Sequence, residues 1–176
     1  MEMKRVGELM IPLDAFPYIP YWFTLRQALA ELQEAGVKRP GEKPLPWLIL
    51  VFNARNQLLG IVRQREILHG LKPSLMPDGL KDYHPTPSDA GTDPNLYLLG
   101  LSPKKAMQEL QGQVDRQIIE FMVPIQATVD YNDVAIAAIH MMIERDMSFI
   151  PVVREGQIVG LVYAGDVIHE LIRSLG

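Results

Sequence analysis

The hydrophobic positions of the first half of the chain follow a helical period and then give way to two short apolar runs. Thr24 and Gln27 have the spacing of a capping box, which predicts that a helix begins there. The stripe that follows has the i, i+3, i+4, i+7 spacing of a helix face: Leu25, Ala28, Leu29 and Leu32. The apolar runs at 47–52 and 57–62 predict a hairpin, and their lack of a polar face predicts a sheet covered on both sides.

The second half of the chain repeats this order of elements. Asp133 is placed to cap a helix, and apolar residues follow it at helical spacing: Val134, Ala137, Ala138, Met141 and Met142. Apolar runs at 149–153 and 157–162 predict a second hairpin, and a closing helix follows. The two halves therefore predict the same succession of strand, helix, hairpin and helix.

Four sequence blocks recur in the same order, which indicates an internal duplication. Residues 6–12 match 118–124, 24–29 match 133–138, 57–62 match 157–162, and 66–69 match 166–169. We therefore predict an α/β (α+β) fold of two tandem βαββα repeats that form one pseudo-two-fold module with facing sheets. The predicted boundaries are 1–71 for the first repeat with an inserted loop at 36–46, 72–117 for a proline-rich linker and short helix, and 118–176 for the second repeat.

Composition and charge narrow the function classes. The net charge of −4 leaves no broad basic surface, so we expect no nucleic-acid partner. The absence of cysteine excludes disulfides and thiolate zinc sites, and we expect no bound metal. No apolar run approaches the length of a membrane span, so we expect no membrane partner and a cytoplasmic protein. No catalytic motif is present, so we expect that the protein is not an enzyme.

The blocks 120–124, 133–137, 149–153 and 160–168 resemble the successive blocks of a cystathionine-β-synthase (CBS) domain, and the first half resembles one more loosely. The resemblance implies a CBS pair. Such pairs often bind AMP, ADP, ATP or S-adenosylmethionine in clefts between the repeats, commonly dimerise, and regulate a partner protein.

The resemblance also implies where a ligand would bind. In ligand-binding members, the turn after the last strand carries a Ser or Thr for phosphate and, three residues later, an Asp for ribose. Here the second repeat has Tyr163 and Asp166 at these positions, and the first has Arg63 and Glu66. On the base side, the resemblance implies contacts from the first strand and the start of the second: Thr128, Val129, Met147, Ser148, Phe149 and Pro151.

Two functions remain open from the sequence. The first is a stand-alone CBS-pair regulatory module that senses an adenosyl ligand and transmits its state to an unknown partner protein. The second is a ligand-free dimerisation or scaffold module with degenerate clefts, which the loss of Ser or Thr at both phosphate positions favours. In either case we expect a homodimer.

Overall fold

The computed structural model describes residues 3–35, 47–75 and 103–176. The predicted loop at 36–46 and residues 76–102 of the predicted linker lie outside the described residues. The helices are α1 Val6–Leu9, α2 Leu25–Ala35, α3 Gln64–Leu75, α4 Pro103–Val114, α5 Ala135–Arg145 and α6 Ala164–Leu175. The strands are β1 Ile11–Pro12, β2 Tyr18–Pro20, β3 Leu48–Phe52, β4 Leu58–Arg63, β5 Val123–Pro124, β6 Val129–Asp130, β7 Phe149–Arg154 and β8 Gln157–Tyr163. Short 3₁₀ helices occupy Leu13–Ala15 and Ile118–Phe121.

Each repeat contributes one strand to the other repeat's sheet. The first sheet has the order β2-β3-β4-β5, so it ends in a strand from the second repeat. The second sheet has the order β1-β8-β7-β6, so it ends in a strand from the first repeat. The predicted α/β architecture of two βαββα repeats is confirmed, and the exchange of strands interlocks the two repeats.

The two sheets face each other across a shared apolar layer, as predicted. Leu48 and Leu50 of β3 are fully buried there, while the alternate residues Ile49 and Val51 point to the helix side of the same sheet. The buried residues of the shared layer come from both sheets: Phe16, Leu48, Leu50, Ile61, Phe149 and Leu161. Because β3 is covered on both faces, its sequence is apolar throughout.

The exchanged segments also complete the helix-side cores. Val6 of α1 is fully buried among residues of the second repeat, including Ala138, Met142 and Ile150. In the same way, the 3₁₀ helix before β5 inserts Ile118 and Phe121 into the core of the first repeat. Neither repeat therefore has a complete core without the leading segment of the other.

Helix α2 begins as the sequence predicts, whereas the alignment of α5 was wrong by one residue. Thr24 and Gln27 form the capping box, since the Gln27 N–H donates to Thr24 Oγ1 and the Thr24 N–H donates to Gln27 Oε1. The backbone N–H of Leu25 donates to the segment that leads into β5, and the backbone N–H of Ala135 donates to the segment that leads into β1. These hydrogen bonds are equivalent in the two repeats, so Leu25 and Ala135 correspond. The helices thus align 110 residues apart, not 109.

The consequence is that the predicted α5 stripe shifts along the helix. Ala135, Ala138 and Met142 are the buried residues of α5, whereas Val134 precedes the helix and is 43% exposed. Asp133 does not cap the helix; its carboxylate instead accepts the backbone N–H of Asp130. The start of α5 is bonded to the exchanged N-terminal segment, because the backbone N–H of Ala135 donates to the carbonyl of Lys4.

Helix α4 (Pro103–Val114) is the short helix that the sequence predicts within 72–117. It packs against α3 and α2 of the first repeat. Within the part of the chain that the structure describes, no helix combines the length and apolar character needed to cross a bilayer.

A buried carboxylate clamps the N-terminal segment to α6. Glu170 is only 3% exposed, and it accepts the backbone N–H of Lys4 at 2.9 Å. The guanidinium of Arg173 donates to both oxygens of Glu170. The bond from Arg173 and the N–H of Lys4 lower the pKa of Glu170 from 4.5 to about 2. Glu170 therefore stays ionised in the folded protein at pH values where an unfolded chain would protonate it.

Gly160→Ala is expected to destabilise the fold by about 1–3 kcal/mol, because overpacking has this typical cost. A methyl group on Gly160 of β8 would lie 2.7 Å from the carbonyl oxygen of Ile11 in the exchanged strand β1. The measurement is the free energy of unfolding in urea. Gly112→Ala on α4 is the control: nothing lies within 4 Å of its added methyl group, and helix propensity predicts a gain of about 0.5–1 kcal/mol. A neutral result for Gly160→Ala would contradict the close strand approach.

Glu170→Gln is expected to reduce stability at neutral pH and to remove part of the protein's acid sensitivity. The folded-state pKa of Glu170 is depressed, so its ionised form stabilises the fold above about pH 4.5 and this contribution is lost as the pH falls toward 2. The difference between wild type and variant should therefore shrink over that interval in urea unfolding at fixed pH steps. A difference that stayed constant from pH 7 to pH 3 would show that the charge of Glu170 is not responsible.

Candidate functional site

A cleft of about 360 Å³ lies where the two repeats meet, at the ends of β4 and β8. Arg63 is the last residue of β4 and Tyr163 is the last residue of β8, so the repeated fold brings these two equivalent positions together. Trp47 and Ser148 precede β3 and β7 at the same end of the sheets. The lining residues come from both repeats: Trp47, Arg63, Gln64, Arg65, Ser148, Phe149 and Tyr163.

Arg63 joins the two repeats through hydrogen bonds in this cleft. Its Nε and Nη2 donate to the two carboxylate oxygens of Glu66 at 2.9 and 2.6 Å. Its Nη1 donates to the hydroxyl of Ser148 in the other repeat at 2.8 Å. Each of the three guanidinium nitrogens therefore has a partner, and one of these partners crosses the repeat boundary.

Glu66 is held in its ionised form by this arrangement. It lies in the first turn of α3 and also accepts the backbone N–H of Arg63 at 3.0 Å. Burial alone would raise the pKa of Glu66, but the hydrogen bonds and positive charge of Arg63 outweigh burial and hold the pKa below its usual value. The side chains of Arg63 and Glu66 are 23% and 14% exposed, so the pair is only partly screened by water.

Tyr163 covers the other side of the cleft with its ring. Phe149 and Tyr163 are opposite each other in the β7–β8 pair, and their rings stack with centroids 4.8 Å apart at an angle of 23°. Tyr163 remains partly exposed, whereas Phe149 is buried in the shared layer between the sheets. The stack therefore presents an aromatic surface opposite the guanidinium of Arg63.

The structure places the sequence-predicted residues in two groups. Arg63, Ser148, Phe149 and Tyr163 line the cleft, and Glu66 is bound to Arg63. The other predicted residues are not among the described residues that line it: Thr128, Val129, Met147, Pro151 and Asp166. The sequence reasoning expected base-side and ribose-side residues of the second repeat to share one cleft, but the structure joins Ser148 of the second repeat to Arg63 and Glu66 of the first.

Those remaining residues occupy identifiable positions nearby. Thr128 lies just before β6 and is exposed. Val129 is buried on β6, which pairs with β7. Met147 packs partly against the helix-side core, and Pro151 is buried within β7. Asp166 lies in the first turn of α6, at the position equivalent to Glu66, and is partly buried.

Sequence reasoning missed two wall residues and a second hollow. Trp47 and Gln64 line the cleft, and their signal was their position immediately next to the ends of the repeated strands. A larger hollow of about 720 Å³ lies at the opposite ends of the hairpins, and turns from both repeats line it, together with Tyr18 and Phe52. Its signal in the sequence was the pair of polar turns that connect the strands of the two hairpins.

Comparison with known proteins supports both the second repeat and the complete fold. The family model described as CBS domain matches residues 118–173. No curated protein matches the chain. Among solved structures, a CBS domain-containing protein of unknown function from Bacillus anthracis has 18% identity and a TM-score of 0.61, with 97% of this chain and 94% of that chain covered.

Two further structures contain nucleotides. CBSX2 in complex with AMP has 16% identity and a TM-score of 0.58, with 98% of both chains covered. The cytosolic domain of the Mg²⁺ channel MgtE in complex with ATP has 18% identity and a TM-score of 0.57, with 96% of this chain and 49% of that chain covered. At these identities the likeness concerns the fold. Residues 118–173 are a CBS domain, and the chain as a whole has the fold of the CBS-pair structures it matches.

Proposed function

We propose that this protein is a regulatory CBS pair that senses an adenosyl ligand in the cleft between its repeats and transmits the ligand state to a partner protein. The observation that carries the proposal is the composition of the cleft. Two guanidinium groups, those of Arg63 and Arg65, come from one repeat, and the stacked rings come from the other. The candidate ligands are AMP, ADP, ATP and S-adenosylmethionine.

The chemistry of the walls suits the parts of an adenine nucleotide. The partly exposed ring of Tyr163 offers a face for a purine, since bases stack favourably on aromatic side chains. Arg63 and Arg65 match phosphate oxygens in charge and in hydrogen-bond geometry. Glu66 is a carboxylate acceptor for ribose hydroxyls, and Ser148 is a hydroxyl partner for phosphate. Structures of the same fold, CBSX2 and MgtE, bind AMP and ATP respectively.

The construction of the cleft supports the proposed transmission. A ligand that contacts both Arg63 and Tyr163 contacts both repeats, so its binding free energy depends on the relative position of the repeats. A ligand shifts a conformational equilibrium by as much as its affinities for the two states differ. We therefore place the regulatory output in a change of the inter-repeat arrangement, and we propose that a partner protein recognises that change. The role is regulatory and not catalytic.

We also propose a homodimer. The inner apolar faces of the helices are not available for an interface, because Leu25, Leu32, Ala138 and Met142 are buried in the cores. Five of the exposed apolar residues among the described ones lie on α5 and α6 of the second repeat. Their side chains are between 55% and 80% exposed, and a cluster of this kind is typical of an interface: Ile136, Ile143, Ile168, Ile172 and Leu175.

A scaffold without a ligand is the second candidate function. Arg63 already has partners for all three nitrogens, and Tyr163 stands where ligand-binding relatives have Ser or Thr. In that case the hydrogen bond between Arg63 and Ser148 is structural, and the protein acts through its apolar helix surface alone. Ligand titration separates the two functions.

The expected result of a thermal-shift panel is a rise in melting temperature with at least one of AMP, ADP, ATP and S-adenosylmethionine, because a ligand that binds only the native state stabilises it. In calorimetry, Tyr163→Leu should weaken the binding of that ligand by about 1–3 kcal/mol, because stacking on the ring is lost. Tyr21→Leu is the matched control, since Tyr21 is partly exposed and does not line the cleft. If wild type bound none of the four at millimolar concentration, the scaffold function would replace the sensor.

The dimer is tested by light scattering at micromolar concentration, where we expect twice the mass of one chain. The double variant Ile168→Asp and Ile172→Asp should give the monomer mass, because charges in an apolar interface are desolvated without partners. Met107→Glu on α4 is the control: Met107 is 56% exposed and lies away from α5 and α6, so the dimer should persist. A monomeric wild type would overturn the proposal.

A further inference from the structure

We propose that the ion pair between Arg63 and Glu66 makes the cleft select for ligands that carry a phosphate, and that it excludes uncharged nucleosides. This inference rests on the proposed function and narrows its candidate ligands to AMP, ADP and ATP, because S-adenosylmethionine carries no phosphate. In the structure the guanidinium of Arg63 occupies both carboxylate oxygens of Glu66. Oε2 accepts two hydrogen bonds, from the backbone N–H and Nε of Arg63, and Oε1 accepts one from Nη2, so Glu66 has at most one acceptor position left for ribose hydroxyls until Arg63 moves.

An uncharged ligand offers no anion that could replace Glu66 as the partner of Arg63. The side chains of Arg63 and Glu66 are largely buried, at 23% and 14% exposure, and separating such a pair leaves two poorly solvated charges. Breaking a buried pair without replacing a partner is strongly unfavourable. Adenosine would gain the bonds of its ribose to Glu66 but would leave the guanidinium of Arg63 without an anion.

A phosphate permits an exchange of one anion for another. Arg63 can leave Glu66 and bind two phosphate oxygens with the same pair of N–H groups, because guanidinium geometry matches phosphate as well as carboxylate. Glu66 Oε2 keeps its bond from the Arg63 backbone N–H at 3.0 Å, so the carboxylate stays in place at the start of α3. The oxygen Oε1 is then free for a ribose hydroxyl.

The exchange also reaches the other repeat. Ser148 receives its hydrogen bond from Nη1 of the same guanidinium, at 2.8 Å. When Arg63 moves to a phosphate, the Ser148 hydroxyl loses this donor and becomes available to the phosphate itself. A phosphate would therefore replace the direct bond between Arg63 and Ser148 by one that passes through the ligand.

The test compares AMP with adenosine, which differ only in the phosphate, by calorimetric titration of wild type and variants. Wild type should bind AMP at least about tenfold more tightly than adenosine. Arg63→Gln removes the cation and releases Glu66, so adenosine should bind this variant about tenfold more tightly than wild type, a change of about 1.4 kcal/mol. AMP should bind the variant more weakly than it binds wild type.

Arg65→Gln is the matched control for charge. Arg65 is exposed and lines the same cleft, but Glu66 takes its hydrogen bonds from Arg63. Removing Arg65 should lower the affinity for AMP several-fold, because one phosphate contact is lost. The affinity for adenosine should stay unchanged. A gain in adenosine affinity in Arg65→Gln equal to that in Arg63→Gln would assign selectivity to net charge and overturn the role of the ion pair.

A second variant keeps the inference testable if Arg63→Gln does not fold. Glu66→Gln leaves Arg63 without a carboxylate partner, so inorganic pyrophosphate should stabilise this variant against heat at several-fold lower concentration than it stabilises wild type. No difference in pyrophosphate response would count against the exchange.

The outcomes also separate this inference from the proposed function. If wild type binds AMP but adenosine binds Arg63→Gln no better than wild type, Arg63 holds Glu66 and phosphate together, and the exclusion of nucleosides is wrong while the sensor stands. If wild type binds neither AMP nor any other adenosyl compound, the proposed function fails, and the selectivity inference fails with it.

Discussion

The exchange of strands between the repeats is the constraint on which the rest of the structure depends. Each repeat alone is too small to bury a sufficient core. The exchange solves this problem because α1 adds Val6 to the second repeat and the segment before β5 adds Ile118 and Phe121 to the first. Because each exchanged segment is fixed in the core of the other repeat, the two sheets are held face to face. The cleft then forms at a defined place, where the ends of β4 and β8 meet.

The helices and hairpins were predictable because their signals are local. The capping pair of Thr24 and Gln27 and the apolar runs of both hairpins appear in the structure as the sequence indicated. The exchanged strands were not predictable in this way, since β1 and β5 have only two residues each and pair with distant strands. The alignment error in α5 has the same origin. Ala135 rather than Val134 faces the core, and the helix begins where the backbone N–H of Ala135 donates a hydrogen bond to the carbonyl of Lys4, which is remote in sequence.

The candidate site shows the same division between local and tertiary information. The sequence identified Arg63, Glu66, Tyr163 and Asp166 as equivalent positions of two repeats. It did not indicate that Arg63 reaches Ser148, which is 85 residues away, nor that Glu66 is already paired. Such bonds depend on the distance between the two sheets, and that distance is set by the side chains of the shared layer. A repeat pattern therefore fixes which positions correspond, but the contacts between repeats need the assembled core.

The equivalent helices α3 and α6 hold the exchanged segments by different chemistry, and this makes the module asymmetric. On α6, Glu170 binds the backbone of Lys4 and the guanidinium of Arg173. On α3 the corresponding position is Gly70, and a methyl group there would collide with the ring of Phe121.

Arg116 covers that ring at 4.8 Å and thus replaces the buried carboxylate by an apolar and cation–π contact. Among the described residues the α3 contact has no buried carboxylate, since Glu120, the carboxylate that pairs with Arg116, is exposed. The two exchanged segments are therefore held by different contacts. The N-terminal segment is bonded to a buried, ionised carboxylate, whereas the segment before β5 is held by the packing of Phe121 and by Arg116, which also donates to the Gly70 carbonyl.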